Sequence, residues 1–192
     1  MNRKKVILLV LLFGLFLSFI SINGQDKEPQ KSPAAKASLT IGIDTEVTFE
    51  YSRPGVKGRT IWGELVPWGL TPGNKYSDEK PFPWRGGANK STTIEFNNDL
   101  TIAGNKVSAG KYSLHFVPGE NEWTVMVNSV NDTWGSYKYD ASKDVAKFNV
   151  TPVVASEQEL LVYGFEDYTG YTVTAYLQWE KVKIPFKIEV AK

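Results

Sequence analysis

An all-β antiparallel sandwich is the fold class this sequence predicts, on three observations. Apolar residues recur with a period of two in several short windows, and Gly, Asn, Asp and Pro turns punctuate them. No window of a dozen residues sustains helical spacing between a start and a stop signal. Short strands with one apolar face must bury that face against a second sheet. The spacing fits an immunoglobulin-like topology and a jelly roll equally, and it holds no internal repeat.

Length and composition set the outer bounds. The chain has 192 residues, 42% hydrophobic and 22% charged, which suits one domain with a packed core. It has no cysteine and one histidine, which excludes disulfides, zinc fingers, iron–sulfur clusters, thiol nucleophiles and metal sites built on two imidazoles. No cofactor and no metal are expected.

Residues 1–5 carry Arg3, Lys4 and Lys5, and an apolar run over 6–20 follows, broken only by Gly14 and Ser18. A spanning helix needs about 20 residues, so this shorter run reads as a secretory signal peptide over 1–24, cleaved after Gly24. No cysteine follows the run, so a lipoprotein anchor is excluded. The expected location is exported, periplasmic or extracellular, with no membrane insertion once the signal is removed. Cleavage removes three basic and no acidic side chains. It leaves 19 Lys/Arg against 21 Asp/Glu, a net charge of −2 with no electrostatic footprint for nucleic acid. Residues 25–38 (QDKEPQKSPAAKAS) lack aromatic and β-branched side chains and read as a disordered spacer. A single folded domain is expected over 39–192. Its oligomeric state is not legible in the sequence.

Within that domain, Thr92, Ile94 and Phe96 alternate with Thr93 and Glu95. Tyr112, Leu114 and Phe116 alternate with Ser113 and His115, and Trp123, Val125 and Val127 with Thr124 and Met126. Gly104-Asn105 lies between the runs 100–103 and 106–107 as a hairpin turn. A second turn over 167–170 separates 160–166 from 171–179. Val173, Ala175, Leu177 and Trp179 are odd-numbered, whereas Val182, Ile184, Phe186, Ile188 and Val190 are even. That phase slip demands a turn at Glu180-Lys181 or a bulge, and the turn is the simpler expectation.

Residues 61–90 break the pattern. They are rich in proline and glycine, hold Trp62, Trp68 and Trp84, and are too long for a hairpin loop. Long structured loops in compact domains are usually functional.

The motifs YSRP at 51–54, KGR at 57–59, IWGELVPWG at 61–69 and WRGGAN at 84–89 occur in order along the chain. AGKYSLH at 109–115, PG at 118–119, EW at 122–123 and WGSYKYD at 134–140 follow. Together they resemble the bacterial domain-of-unknown-function family 2911 over residues 49–152, and more loosely the pair around Trp179, Glu180 and Lys181. The resemblance implies a small exported all-β domain and brings no established activity or catalytic residue. The sequence departs from that family at Gly86, where a hydroxyl or small residue is usual, and at Lys90, near a usual acidic residue. Residues 70–83 look like an insertion ahead of the Trp-Arg motif.

Three groups of residues offer chemistry. Arg53, Lys57 and Arg59 cluster in one Pro/Gly-rich loop, and Arg85 follows Trp84 in another. Guanidinium forks bind carboxylate, sulfate or phosphate, and the same forks can instead brace the loop on Glu64, Glu95 or Asp140. Trp62, Trp68, Trp84, Trp134, Tyr137 and Tyr139 offer ring platforms for a sugar, or plugs for the ends of the sandwich. His115 lies on the strand face opposite Tyr112, Leu114 and Phe116, so its ring is expected to point outward or into a cleft. There it is the weak candidate for a catalytic base. Ser113 shares that face, but strand spacing argues against a direct Ser113–His115 hydrogen bond. Glu64, Glu95, Glu122, Glu166 and Asp167 are the carboxylates from which a glycosidase pair would come. The turns 97–99 and 128–132 are oxygen-rich without EF-hand spacing.

The expected function is a non-catalytic binding module for a glycan or small anionic ligand, with Arg53, Arg59, Trp84, Arg85 and Asn89 as its ligand-binding residues. A hydrolase using His115 or a carboxylate pair, and a structural envelope protein without a small ligand, are the alternatives.

Overall fold

The computed structural model describes residues 29–191. The expected signal peptide, and residues 25–28 of the expected spacer, lie outside that range. Among the described residues the chain forms ten strands: β1 (Ala34–Ile41), β2 (Thr45–Ser52), β3 (Thr93–Phe96), β4 (Leu100–Ile102), β5 (Asn105–Val107), β6 (Gly110–Val117), β7 (Trp123–Asn128), β8 (Asp144–Val150), β9 (Val153–Glu166) and β10 (Thr172–Val190). One turn of 3-10 helix, Ala141–Lys143, precedes β8.

The strands form two open sheets with antiparallel pairing throughout. One has the order β1-β2-β3-β6-β7-β8 and the other β5-β4-β10-β9. The β4-β5 hairpin leaves the larger sheet after β3 and joins the smaller one, and the chain returns as β6. Between the sheets lie the alternate residues of each strand. Val47, Phe49, Ile94, Leu114, Phe116, Val125 and Val127 come from the larger sheet, and Leu161, Leu177, Trp179, Ile184 and Ile188 from the smaller. Each such fully buried side chain contributes about 1.5–3 kcal/mol over its exposed state.

The expected all-β sandwich is therefore the fold, and four local expectations change. The folded unit begins before Leu39. β1 starts at Ala34, and residues 34–38 of the expected spacer pair with β2 from Ala34↔Ser52 onward. Alanine satisfies this edge strand because Ala35 and Ala37 are its inward residues, packed against the core.

There is no turn at Glu180-Lys181. β10 is a single strand of 19 residues, and Glu180 (φ 53) sits in a bulge where its register against β9 shifts. A bulge moves the inward set from odd to even numbers without ending the strand. The β4-β5 turn falls one residue earlier than expected. Ala103 (φ 46) and Gly104 (φ 82) both take the left-handed conformation of a two-residue hairpin, and Asn105 opens β5. The turn at 167–170 is where the spacing puts it, between β9 and β10.

The fourth change is His115. Its side chain is on the outer face of β6, but that face is roofed by residues 129–140, so the imidazole is 3% exposed rather than open to solvent. The roof is pinned by Ser91 N–H to Thr133 O (3.1 Å) and Ser91 Oγ–H to Gly135 O (2.8 Å).

Candidate functional site

The forty residues between β2 and β3 form no named strand, yet they are ordered by the sheet beside them. Trp84 and Phe116 exchange both backbone hydrogen bonds at 2.8 Å. Trp84 thereby continues along β6 the ladder that β3 begins. The segment 70–83 is closed by a second reciprocal pair, Thr71 N–H to Phe82 O (2.8 Å) and Phe82 N–H to Thr71 O (3.1 Å).

Tryptophans anchor this end of the sandwich. Trp62 packs edge-on against Trp123 (5.0 Å between centroids), Trp84 (5.8 Å) and Trp179 (5.8 Å), while Trp84 stacks on Trp179 at 6.1 Å. Trp62 and Trp84 are thus plugs, whereas Trp68 and Trp134 stay exposed at 39% and 62%.

Above the Trp84–Trp179 stack lies a cleft of about 450 Å³, within the range of small-ligand sites. Arg59, Trp84, Arg85 and Asn89 line it, with Thr71, Asn74, Phe82 and Pro83 from the 70–83 segment forming one wall. Tyr137 from the roof and Ser32 ahead of β1 complete the rim. Among the described residues no aspartate or glutamate lines it. Four of the five expected binding residues meet here. Arg53 does not. Its Nε–H donates to Leu161 O (2.9 Å), tying the end of β2 to β9.

The arginines are braced by backbone carbonyls rather than by the expected carboxylates. Arg59 donates from Nε to Val56 O (3.1 Å) and from Nη2 to Gly55 O (2.5 Å). Arg85 donates from Nη1 to Asn89 O and lies over the Tyr137 ring at 5.2 Å. Among the described residues no arginine forms an ion pair, while Glu95 pairs with Lys111 (3.5 Å) and Asp140 caps the backbone of Ser142 (2.9 Å). A carbonyl holds a guanidinium in place without cancelling its charge. Both forks therefore present uncompensated positive charge at the cleft, and partial burial of Arg85 strengthens its field.

Two glycines make this arrangement fit. Gly86 (φ 62) lies so close to the core that a Cβ there would come 2.3 Å from the Tyr163 hydroxyl and 2.4 Å from Phe116 Cε2. Its carbonyl accepts from that Tyr163 hydroxyl (2.9 Å) and from Thr92 Oγ (3.2 Å). The departure at Gly86 noted in the sequence is thus a packing requirement of this chain. Gly135 (φ 72) sits directly against the Arg85 guanidinium. Asn89 (φ 61) gives its amide protons to Ser32 O (3.2 Å) and Ser52 Oγ (3.3 Å), so it fixes the segment ahead of β1 to the cleft rim.

His115 is placed differently from its expectation. Ser113 Oγ and His115 Nε2 are 2.8 Å apart, so the direct bond that strand spacing argued against exists, the two side chains leaning toward each other under the roof. Ser113 spends its proton on Val130 O (2.8 Å). Nε2 must then carry the ring proton, and Nδ1 accepts from Ser136 Oγ (2.7 Å). This neutral tautomer is fully satisfied. Burial, and then the nearby Arg85 charge, lower the His115 pKa to about 4. Among the described residues its ring has no carboxylate partner, and it does not line the cleft. None of Glu64, Glu95, Glu122, Glu166 and Asp167 lines the cleft.

Among the described residues no group of three or more His, Asp or Glu side chains is placed to hold a metal ion. No helix among them is long and apolar enough to cross a membrane.

Tyr137 was among the aromatic candidates, whereas the contributions of Ser32 and Trp179 were not legible as site residues. Both reach the cleft only through long-range folding, and a lone serine and a core tryptophan carry no local motif for it.

A family model described as a protein of unknown function, DUF2911, matches residues 32–188. No curated protein and no solved structure matches the chain.

Proposed function

The chain belongs to the DUF2911 family of proteins of unknown function, and from that premise we propose a non-catalytic binding module for an anionic or carbohydrate ligand. The ligand is a sugar bearing a carboxylate or sulfate, seated in the cleft. One observation carries the reading: two guanidinium groups, held by backbone carbonyls, line a cleft floored by Trp84 in which no carboxylate of the described residues takes part. Charge-assisted, forked donors suit a planar or tetrahedral oxyanion. The indole suits the ring face of the sugar, and the Asn74 and Tyr137 side chains suit its hydroxyls. The basic start and short apolar run support export, so the module works outside the cytoplasm.

Titration of the purified chain with uronic acids and sulfated sugars tests this reading, with Arg85→Ala as the partner variant. Saturable binding that Arg85→Ala abolishes, at a stability loss of about 1 kcal/mol, supports it. A loss of several kcal/mol with no acidic sugar bound by the parent chain overturns it and leaves Arg85 as a structural brace.

A further inference from the structure

A second concavity adjoins the cleft. It encloses about 1110 Å³ on the outer face of β1 and β2, beside the roof that covers β6 and β7. Its floor is polar. Lys36 pairs across the strands with Glu50, and Glu50 with Thr93, so this row of outward side chains is hydrophilic. Trp134 stands at its rim, 62% exposed. Ser32 and Asn89 line both concavities, so cleft and groove meet along one shared edge.

The charge along this edge is uneven. Lys111 is neutralised by Glu50 (2.6 Å) and Glu95 (3.5 Å), and Lys90 is paired with Asp132 (3.6 Å). Among the described residues Lys31 and Lys36 enter no ion pair, and both line the groove. The groove, where four lysines (Lys31, Lys36, Lys90, Lys111) meet Glu50 and Asp132, thus keeps a net positive charge beside Arg59 and Arg85 in the cleft. The exposed indole of Trp134 stands at the groove end and the half-buried indole of Trp84 at the cleft end.

We propose that the ligand is an acidic oligosaccharide of at least two residues, one sugar in the cleft and the next laid across Asn89 into the groove against Trp134. This rests on the reading of the cleft given above. A repeating acidic sugar presents charge and ring face alternately along its length, as the track does. The charged row across the floor would have to be desolvated beneath an apolar helix. An extended peptide would add to the open edge of β1 rather than lie on the face of the sheet.

The experiment is calorimetric titration of the full chain, the Trp134→Ala variant and the Arg85→Ala variant. The probes are oligogalacturonates and sulfated galactan oligomers of one to six residues, with cellohexaose, polyglutamate and a hexameric oligothymidylate as controls. The expected result is affinity that rises about tenfold or more between one and three residues and then levels off. Trp134→Ala removes that gain, leaving monomer affinity and melting temperature unchanged, and Arg85→Ala removes binding at every length. Equal affinity at all lengths, or a length gain that survives Trp134→Ala, overturns the extended site while the cleft reading stands. No binding of either acidic series overturns both. Tighter binding of polyglutamate or oligothymidylate overturns the choice of a glycan.

Discussion

The guanidinium of Arg85 lies against the backbone of Gly135, where a Cβ on residue 135 would stand 2.2 Å from Arg85 Cζ. Fifty residues of sequence separate the two, and each belongs to a different loop. Arg85 therefore faces the cleft because the roof over β6 leaves room for it at one glycine. The dependence of the site on the roof follows from that contact.

Gly135→Ala is expected to lower stability by about 1–3 kcal/mol, through left-handed backbone strain together with the displaced guanidinium. It should also lose acidic-sugar binding as Arg85→Ala does. Gly170→Ala is the control, since Gly170 has φ 91 but nothing within 4 Å of its would-be Cβ. Melting and binding on both variants check this. Retained binding in Gly135→Ala would show that the contact does not position Arg85.

Trp179 is 1% exposed, stacks on Trp84 and donates from Nε1 to Glu159 O (3.2 Å). Trp179→Ala should cost about 3–5 kcal/mol. Thr174, on the opposite side of β10 and only half-buried, should cost well under about 1 kcal/mol when changed to Ala. Denaturant melts of the two variants compare them, and equal losses would contradict the strand phase.

His115 gives stability a definite pH dependence. Its folded pKa of about 4 lies below the ordinary value of 6.5, so the unfolded chain binds the extra proton first. Stability is fully present above about pH 6.5 and falls as pH drops toward 4. The His115 contribution to the loss is about 3 kcal/mol, and that contribution levels off below about 4, where the carboxylates take over. The chain has one histidine, so the slope between pH 6.5 and 5 belongs to it. Melts of the parent chain and His115→Gln across that range check the assignment, and an unchanged slope in the variant would refute it.

Export predicts an intact mass lacking residues 1–24 for protein recovered from the cell envelope. Mass spectrometry reads it directly. A mass that retains those residues would mean an uncleaved anchor.

Much of the fold was legible because strand patterning is local. The alternations at 92–96, 112–116, 123–127 and 173–190 all became strands. The same signal runs through Val47, Phe49 and Tyr51 in β2 and through Ala146, Phe148 and Val150 in β8. β1 was hidden because an alanine-rich edge strand carries too little apolar contrast to stand out from a linker. The slip at Trp179–Val182 was visible, but its cause was not. A turn and a bulge shift phase identically, and only the continued pairing of Val182 with Val154 on β9 distinguishes them.

The same division governs the site. Residue types and order along the chain determined that it is an all-β domain, that an arginine-bearing loop precedes a tryptophan-rich segment carrying Arg85, and that cysteine and paired-histidine chemistry is excluded. Tertiary structure decided which of those residues meet. Arg59, Arg85 and Asn89 share a cleft because Trp84 takes a place on the β6 ladder. Arg53 is drawn away by a β9 carbonyl, and His115 is buried beneath a roof that begins fourteen residues later. These outcomes rest on hydrogen bonds and packing between segments far apart in sequence. Closing such contacts depends on the whole chain's register, which no local periodicity encodes.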